Sequence, residues 1–352
     1  MTKFYTIPTL LLAIATAVAV TSCGIPRDTT STADSAAAPK ATPSASCRTV
    51  THKKGITKVC GQPSRIVVLG PNLLELMLAL GVQPTGFADY MAFHRGDYTN
   101  PREQIPYIGD RVTTQPINVG TDSAPSLESI ASIKPDLILA TQMNEAQYEQ
   151  LSGIAPTVIL NWFEAEKNLR AIAQAVDRSD QAERLLTESK QRIEKARTTF
   201  APIVAKHPKV LMLSSGNAQE LYLVTHKNSF CGSLIQQLGF QLVYPSNISE
   251  NILDTVSAVS WETLPQLNKA DSIILLGYNW DTHSLSESSS FDASQLSTLM
   301  QGWQKNAIAQ SLNATQSKRV YFMPAYLCLS LPGPIGTELY LDELEKQLLS
   351  SQ

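Results

Sequence analysis

The sequence predicts an α/β protein with two Rossmann-like lobes, each built on a mainly parallel sheet, which one long helix connects. Short β-branched apolar runs alternate with helical stretches along residues 65–160, and the alternation resumes after residue 207. Between the two halves, residues 166–178 and 180–205 have the composition of helices and contain no glycine. A similar Ser-x-Glu segment also occurs once in each half, which suggests that the two lobes are related by approximate symmetry.

Length and charge narrow the possible classes of protein. The chain has 352 residues, which suggests about two domains, and its 43% hydrophobic and 17% charged residues are typical of a folded protein. A net charge of −3 provides no basic surplus for a nucleic-acid partner. The longest uncharged apolar run, residues 6–20, is shorter than the ~20 residues that a membrane-spanning helix needs. These features argue against DNA-binding proteins, channels and permeases.

The N-terminus has the features of an export signal. In residues 1–22, Lys3 precedes an apolar run that ends in small residues, as in a secretory signal peptide. The end of this run, Val20-Thr21-Ser22-Cys23, resembles a bacterial lipobox, in which the cysteine receives lipid and becomes the new first residue. We therefore expect a protein lipid-anchored at Cys23 on the outer face of the cytoplasmic membrane. Plain secretion with an unmodified Cys23 is the alternative.

The composition of residues 23–46 predicts a disordered tether between the lipid and the folded body. After Ile25 they contain no large apolar residue and consist almost throughout of Ser, Thr, Ala and Pro. Such a segment cannot bury enough surface to offset its ordering entropy. The folded part is thus expected to work just outside a membrane.

Four further cysteines make an even number, as expected in an oxidising compartment: Cys47, Cys60, Cys231 and Cys328. Three pairings are possible. We favour Cys47–Cys60 with Cys231–Cys328, because each bond then stays within one predicted lobe. The absence of CxxC spacing in the sequence argues against a zinc or redox site, and four buried thiols are the alternative.

The first lobe is predicted to span residues 47–163. A strand at 65–69 leads through a turn into a helix that Asn72 is expected to cap and Gly81 to end. Further strands are predicted at 85–88, 117–119, 136–140 and 156–160, with helices at 126–133 and 144–151.

The segment 164–206 is predicted to bridge the lobes. A 26-residue helix would be about 39 Å long, too long for one small lobe, with its last turn broken or kinked at Pro202. The second lobe, 207–352, is predicted from strands at 209–213, 220–224, 271–276 and 319–323 and from helices at 230–238, 260–267 and 335–350.

The repeated segment has the same order of features in each lobe. A Ser (126 or 260) precedes a Glu (128 or 262), a short helix and then an Asp (136 or 271) that leads into a strand. Ser and Glu in a first helical turn are ordinary capping residues. Capping alone does not explain why both halves carry the segment, and a symmetric pair of lobes would present one carboxylate on each.

Several stretches together resemble the iron–siderophore and cobalamin branch of ABC-transporter substrate-binding proteins. They are RIVVLGPNLLELMLALGVQPTGFADY, VGTDSAPSLESIASIKPDLILA, SFCGSLIQQLGF and SWETLPQLNKADSIIL, with the long helical region between the second and the third. The resemblance covers roughly residues 62–345 and rests on the order and spacing of all the segments. It implies two α/β lobes on one rigid helix, with the ligand held in the cleft between them.

The resemblance also implies partners. In this family a Glu on each lobe docks against arginines of the permease, a role that falls here on Glu128 and Glu262. The implied function is capture of a ferric siderophore, or a similar iron chelate, for an ABC permease dimer with its ATPase. The protein would be a monomer without a cofactor, binding iron only as part of the chelate.

Ligand contacts are expected from the loops at the carboxyl ends of the strands, where open α/β sheets bind ligands. Arginine would pair with chelate oxygens and aromatic rings would cover its flat faces. The predicted contacts are Asn72, Tyr90, Arg95, Arg111, Tyr278, Trp280 and Tyr326, with Trp162 nearby in sequence.

Two other functions remain open at this stage. A cobalamin- or haem-binding protein of the same fold is the first alternative. A secreted α/β enzyme is the second, and the sequence lacks the motifs GxGxxG after the first strand, GxxxxGK[ST], GxSxG and HExxH. The five histidines are widely spread, which argues against a site for a bare metal ion.

Overall fold

The computed structural model describes residues 46–245, 257–279 and 291–349. The predicted signal peptide, Cys23, nearly all of the tether and Trp280 lie outside the described residues. Among the residues that the structure describes, no helix is long and apolar enough to cross a membrane.

The N-terminal lobe contains a six-stranded sheet in the order β6-β5-β4-β3-β7-β8. Its strands are β3 (Ile66–Leu69), β4 (Gly86–Asp89), β5 (Ile117–Thr121), β6 (Ala124–Pro125), β7 (Leu137–Thr141) and β8 (Thr157–Leu160). Its helices are α1 (Pro71–Ala79), α2 (Pro101–Gln104), α3 (Leu127–Ile133) and α4 (Tyr148–Ile154), with 3-10 turns at Gly109–Arg111 and Gln142–Gln147. All neighbouring strands are parallel except β5 and β6, and β3, β7 and β8 are buried along their whole length, as expected for a sheet covered on both faces.

Helix α1 begins two residues earlier than predicted. Gly70 is its N-cap, with φ of 116°, and Pro71 occupies the first helical position, where its missing N–H costs nothing. Asn72 is therefore inside the helix and caps nothing, which corrects the prediction. The predicted end is confirmed: the N–H groups of Gly81 and Val82 donate to the carbonyls of Leu78 and Met77, and Gly81 has the positive φ of this motif.

A hairpin that the sequence analysis did not predict precedes the sheet. Strands β1 (Cys47–His52) and β2 (Gly55–Cys60) pair antiparallel, and a disulfide joins their ends, Cys47 and Cys60. The hairpin is fixed to β8, because the Thr57 hydroxyl donates to the Thr157 carbonyl oxygen over 2.8 Å. The disulfide pairs the same two cysteines that the sequence analysis favoured.

Two helices connect the lobes: α5 (Ala165–Ala175) and α6 (Ser179–Lys206). Helix α5 packs on α1 and on the hairpin. The 28 residues of α6 give it a length of about 42 Å. Its first turn is tied to the N-terminal lobe, where Gln181 donates to the Ala79 carbonyl oxygen over 3.2 Å, and the helix continues through Pro202 without the predicted break.

The C-terminal lobe contains the second sheet, ordered β12-β10-β9-β13-β14, with β11 beside β9. Its strands are β9 (Lys209–Ser215), β10 (Leu221–Leu223), β11 (Gln241–Leu242), β12 (Ser257–Val259), β13 (Ser272–Gly277) and β14 (Val320–Pro324). Its helices are α7 (Phe230–Gln237), α8 (Phe291–Lys305), α9 (Ala307–Ser311), α10 (Asn313–Gln316), α11 (Tyr326–Leu329) and α12 (Pro334–Leu349), with a 3-10 segment at Trp261–Leu267. Strands β9, β11, β13 and β14 are parallel, whereas β10 and β12 are antiparallel to their neighbours.

The second disulfide, Cys231–Cys328, joins α7 to α11, again the pairing that the sequence analysis favoured. Both cysteines belong to a buried apolar core that extends from α1 in the N-terminal lobe through α5 and α6 to α12. The predicted α/β architecture of two parallel-rich sheets is confirmed. One apolar core spans the two lobes, each lobe also has an apolar cluster of its own, and the described residues belong to a single compact unit.

Candidate functional site

Two buried carboxyl groups lie at the carboxyl edge of the N-terminal sheet. Asp89 is the last residue of β4, and the backbone N–H of Asp122 donates to its carbonyl oxygen over 2.9 Å. Burial raises the pKa of the Asp89 carboxyl from 3.8 to about 8, while hydrogen bonds from the Tyr90 backbone and the Tyr326 hydroxyl lower it. Burial also raises the pKa of Asp122 to about 6. Both acids therefore titrate near neutral pH.

Five aromatic rings fill the space between the lobes beside Asp89. The N-terminal lobe supplies Tyr90, Phe93 and Tyr107, and the C-terminal lobe supplies Phe291 and Tyr326. Tyr326 is the centre of this interlobe aromatic cluster, since its ring centroid lies 5.4–6.0 Å from those of the other four. Its hydroxyl donates to Asp89 Oδ2 over 3.2 Å, and the Tyr107 hydroxyl donates to Asp292. The cluster thus joins the lobes by apolar contact and by two hydrogen bonds.

A buried carboxylate makes a second connection between the lobes. Glu75, in the middle of α1, is inaccessible to solvent, and its two oxygens accept hydrogen bonds from the backbone N–H groups of Gly333 and Gly336 over 2.7 and 2.8 Å. These groups lie at the N-terminus of α12, where helical N–H groups have no partner within the helix. Burial raises the pKa of Glu75 from 4.5 to about 7 against the opposing effect of these hydrogen bonds.

Trp162 makes a third connection, just beyond the carboxyl end of β8. Its backbone N–H donates to Gln142 Oε1 over 2.7 Å, which fixes it to the loop after β7. Its indole Nε1 donates to the Leu329 carbonyl oxygen of the C-terminal lobe, also over 2.7 Å.

A cavity of about 220 Å³ lies between the lobes at Trp162. It is lined by Trp162, Phe163, Ala165, His226, Lys227, Asn228, Ser229, Phe230, Ser233, Cys328, Leu329 and Pro332. The N-terminal lobe thus presents two aromatic residues, one of them the 71% exposed Phe163, while the C-terminal lobe contributes the polar residues His226, Lys227, Asn228 and Ser229. A small anionic ligand with apolar parts matches this lining.

The polar wall of the cavity is an ordered loop between β10 and α7. The side-chain oxygen of Asn228 accepts from the Thr225 backbone N–H over 2.8 Å, and its amide donates to the Leu223 carbonyl oxygen. The backbone N–H groups of Lys227 and Asn228 donate to the Thr225 hydroxyl, and His226 Nδ1 lies 3.0 Å from the Tyr244 hydroxyl. The loop therefore holds Lys227 at the cavity by local hydrogen bonds.

This loop is not among the predicted contacts, for a topological reason. Ligand contacts are expected after parallel strands, but residues 225–229 follow β10, which runs antiparallel to β9. Chemistry gave one usable signal, since His226, Lys227 and Asn228 are three consecutive polar residues between an apolar strand and an apolar helix.

The structure brings only some of the predicted contacts together. Tyr90 and Tyr326 meet in the interlobe aromatic cluster, where Tyr326 is 1% exposed and lines no part of the cavity. Asn72 is fully buried, with neither side-chain polar atom hydrogen-bonded. Tyr278 follows β13, and its ring lies so close to Gly216 that a Cβ there would be 2.5 Å from it.

The two predicted arginines lie apart from the cavity. The guanidinium of Arg111 pairs with Glu338 of α12 over 4.0 Å, and its carbonyl oxygen accepts from Gln83, beyond the C-terminal end of α1. Arg95 is exposed on the loop after β4. Trp280 lies outside the described residues.

The repeated Ser-x-Glu segments share one hydroxyl contact but differ in capping, since Ser126 accepts from the backbone N–H of Ser129 whereas Ser260 makes no such bond. The Ser126 hydroxyl bonds to that of Ser129 over 2.9 Å, and the Ser260 hydroxyl lies 3.1 Å from that of Thr263. The structure exposes both Glu128 and Glu262, each in the first turn of its helix. The backbone N–H of Glu262 and the Ser260 hydroxyl lower the pKa of the Glu262 carboxyl.

The aspartates that end the two segments have equivalent partners as well. Asp136 accepts from the backbone N–H of Arg65, just before β3, over 2.9 Å. Asp271 accepts from the backbone N–H of Lys209, at the start of β9, also over 2.9 Å. In both lobes the segment therefore joins the central strand to its neighbour in the same way.

Metal-ligating side chains are dispersed in the described part of the chain. Across residues 46–245, 257–279 and 291–349, no group of three or more His, Cys, Asp or Glu side chains could hold a metal ion.

Known proteins resemble this chain over most of its length. YhfQ of Bacillus subtilis, whose name places it among ABC transporter substrate-binding lipoproteins, is 29% identical over 306 residues, covering 85% of this chain and 88% of YhfQ. The Fe(3+)-citrate-binding protein YfmC of B. subtilis is 29% identical over 281 residues, covering 78% of this chain and 77% of YfmC. The crystal structure of Staphylococcus aureus SirA complexed with staphyloferrin B shares the fold, with a TM-score of 0.67, 24% identity and coverage of 86% of this chain and 99% of SirA.

The family model described as periplasmic binding protein matches residues 66–327, most of the two lobes and the helices between them. The chain therefore belongs to the periplasmic binding protein family and is a binding protein, not an enzyme.

Proposed function

We propose that this protein captures a ferric siderophore or a related ferric carboxylate chelate and delivers it to an ABC permease with its ATPase. The cavity at Trp162 carries this proposal, because aromatic residues of one lobe and Lys227 of the other line it together. The names of the relatives agree with it: YfmC is called an Fe(3+)-citrate-binding protein, and SirA was crystallised with staphyloferrin B.

The chemistry of such a ligand fits the cavity. Ferric carboxylate chelates are anionic, and an ammonium group gives charge-assisted hydrogen bonds to carboxylate oxygens. The rings of Trp162 and Phe163 would cover the organic part of the chelate, and the exposed ring of Phe163 would lose its contact with water on binding. Arg95, Tyr278 and Trp280 remain predicted ligand contacts.

Docking and anchoring complete the proposal. Glu128 and Glu262 would each meet a permease arginine, and their shared exposed position in the first turn after a Ser supports a symmetric docking surface. Cys23 would carry the lipid, and residues 23–46 would keep the monomeric body near the outer face of the cytoplasmic membrane.

Fluorescence titration tests the ligand assignment. We expect ferric citrate or ferric staphyloferrin B to quench the tryptophan emission of the wild-type protein saturably, since Trp162 lines the cavity. Lys227→Ala should weaken binding about tenfold, the loss of roughly one charge-assisted hydrogen bond. Lys206→Ala, at the exposed end of α6, is the matched control and should bind like wild type. Saturable binding of cobalamin or haem with no response to either ferric chelate would contradict the proposal.

A further inference from the structure

A short segment of the C-terminal lobe makes several hydrogen bonds to the N-terminal lobe. Within residues 326–336, the Tyr326 hydroxyl, the Leu329 carbonyl oxygen and the N–H groups of Gly333 and Gly336 each hydrogen-bond to the N-terminal lobe, over 2.7–3.2 Å. Their partners are Asp89, Trp162 and Glu75. We call residues 326–336 the interlobe segment. These hydrogen bonds fix the segment to the N-terminal lobe although it belongs in sequence to the C-terminal one.

Cys328 lies inside this segment, between two of its bonded residues. Its disulfide partner, Cys231, is the second residue of α7, two residues after Ser229 in the polar wall of the cavity. Both cysteines are buried, at 3% and 0% exposure, and Cys328 also lines the cavity. The disulfide thus connects the interlobe segment to the wall that holds Lys227.

We propose that the Cys231–Cys328 disulfide is a positioning element of the ligand site, which holds the loop 225–229 at a fixed distance from Trp162. A continuous path of bonds runs from the Trp162 indole through Leu329 and Cys328 to Cys231 and the loop. Without the disulfide, the path between the aromatic wall and the polar wall depends on non-covalent packing alone. A preorganised cavity binds more tightly because less ordering is needed when the ligand enters.

The packing around α7 shows why the position of its first turn controls the loop. A Cβ on Gly232 would lie 2.1 Å from the Thr225 carbonyl oxygen, so the helix and the loop are in close contact there. A shift of α7 at Cys231 therefore moves Thr225, whose hydroxyl accepts the backbone hydrogen bonds of Lys227 and Asn228. The other disulfide, Cys47–Cys60, closes the N-terminal hairpin, which packs on α5 and β8, and it therefore serves as a matched control.

Hydrogen exchange of the full chain tests the proposal without a ligand. In the Cys231→Ser/Cys328→Ser variant we expect the amides of Thr225, Lys227 and Asn228 to exchange at least about tenfold faster, because their acceptors are no longer held in place. Strands β9 and β13 should lose protection only by the amount that the urea midpoint predicts, because the slowest amides exchange through global unfolding. The Cys47→Ser/Cys60→Ser variant should leave the loop amides unchanged. Unchanged exchange in the loop, or a change in the loop equal in free energy to that of β9 and β13, would overturn the proposal.

Affinity measurements separate this inference from the proposed function, on which its ligand-binding part rests. We expect ferric citrate to bind the Cys231→Ser/Cys328→Ser variant about tenfold more weakly than wild type and the Cys47→Ser/Cys60→Ser variant equally well. In the Cys47→Ser/Cys60→Ser background, reduction should weaken binding and reoxidation should restore it. Equal affinity of both double variants would overturn the positioning role. If wild type binds neither ferric citrate nor ferric staphyloferrin B while the loop amides respond as expected, the proposed ligand is wrong and the positioning role stands.

Discussion

The carboxylate of Glu75 accepts a hydrogen bond from the backbone N–H of Gly336 over 2.8 Å, across the junction of the two lobes. Its other oxygen accepts from the backbone N–H of Gly333, so Glu75 caps the N-terminus of α12. In most helices a residue at the start of the helix itself supplies this cap. One lobe therefore completes a helix of the other. Because Glu75 is fully buried, its loss leaves N–H groups that water does not reach.

Replacing Glu75 should destabilise the whole protein. We expect Glu75→Ala to lower the free energy of unfolding by about 2–5 kcal/mol, from two unpaired buried N–H groups and the cavity left by the side chain. Urea unfolding followed by circular dichroism measures this. Glu338→Ala is the matched control, since Glu338 also lies in the first turns of α12 but pairs with Arg111 and Arg192 at the surface, and it should cost less than about 1 kcal/mol. Equal effects of the two variants would contradict the role of Glu75.

Stability should fall as pH rises from 5 to 8. The pKa of Glu75 is about 7 in the folded protein against 4.5 ordinarily, and that of Asp89 is about 8 against 3.8, so the folded state binds more protons than the unfolded state across this range. Each group then lowers the free energy of unfolding by up to about 1.4 kcal/mol per pH unit until the pH passes its folded pKa. Below the pKa that each carboxyl has in the unfolded chain, it is protonated in both states and no longer makes stability depend on pH.

Substitutions isolate these two contributions. Glu75→Gln and Asp89→Asn remove one titrating group each, so the urea midpoint of each variant should depend less on pH between 5 and 8 than that of wild type. Other groups titrate in all three proteins alike, so the difference from wild type reports the substituted carboxyl. A variant whose pH dependence matches wild type would show that its carboxyl keeps an ordinary pKa in the folded protein.

Much of the fold could be predicted because local signals agreed with the tertiary structure. The run at 66–69 is wholly buried and the motif at Gly81 ends α1 as expected, since both depend on nearby residues. The hairpin β1–β2 was missed because its two strands are mostly exposed and show little apolar alternation. Helix α8 was not predicted although Leu296, Leu299 and Trp303 have helical spacing, because the polar residues Ser294 and Gln295 are buried as well and obscure the pattern.

The site was less predictable because it depends on contacts between residues far apart in sequence. Tyr90 and Tyr326 were chosen for their chemistry, yet their packing in one aromatic cluster follows only from the lobe arrangement. Glu75 looks in sequence like any polar residue of an apolar helix, and its partner lies 261 residues away. Lys227 is not among the predicted contacts because it follows β10, which runs antiparallel to β9, whereas contacts were expected after parallel strands.

The two disulfides should differ in their contribution to stability. Cys47 and Cys60 are 13 residues apart, and Cys231 and Cys328 are 97 apart. From loop-closure entropy, the first disulfide should add about 3 kcal/mol and the second about 4.7 kcal/mol to the free energy of unfolding. We expect serine replacement of Cys231 and Cys328 to lower the urea midpoint of the whole protein. Replacement of Cys47 and Cys60 should mainly open the hairpin, which limited proteolysis near Gly55 would detect. A larger global loss from the Cys47–Cys60 variant would contradict this order.

Charge reversal at the proposed docking glutamates should block uptake while sparing ligand binding. Glu128 and Glu262 are exposed and do not line the cavity, so Glu128→Arg and Glu262→Arg should keep wild-type affinity for ferric citrate. Each should reduce cellular uptake of radiolabelled ferric citrate at least about tenfold, because an arginine would then face an arginine of the permease.

A matched control exists on the same lobe. Glu149 is the second residue of α4, as Glu128 is of α3, and it is also exposed, so both carboxylates interact similarly with their helix N-termini. Glu149→Arg thus reproduces the change in charge and the loss of helix stabilisation without touching the repeated segment. We expect this variant to import iron like wild type. If Glu149→Arg impairs uptake as much as Glu128→Arg, the defect follows from net charge and not from docking. If Glu128→Arg takes up iron normally, Glu128 does not dock, because an arginine at this position would repel a permease arginine placed opposite it.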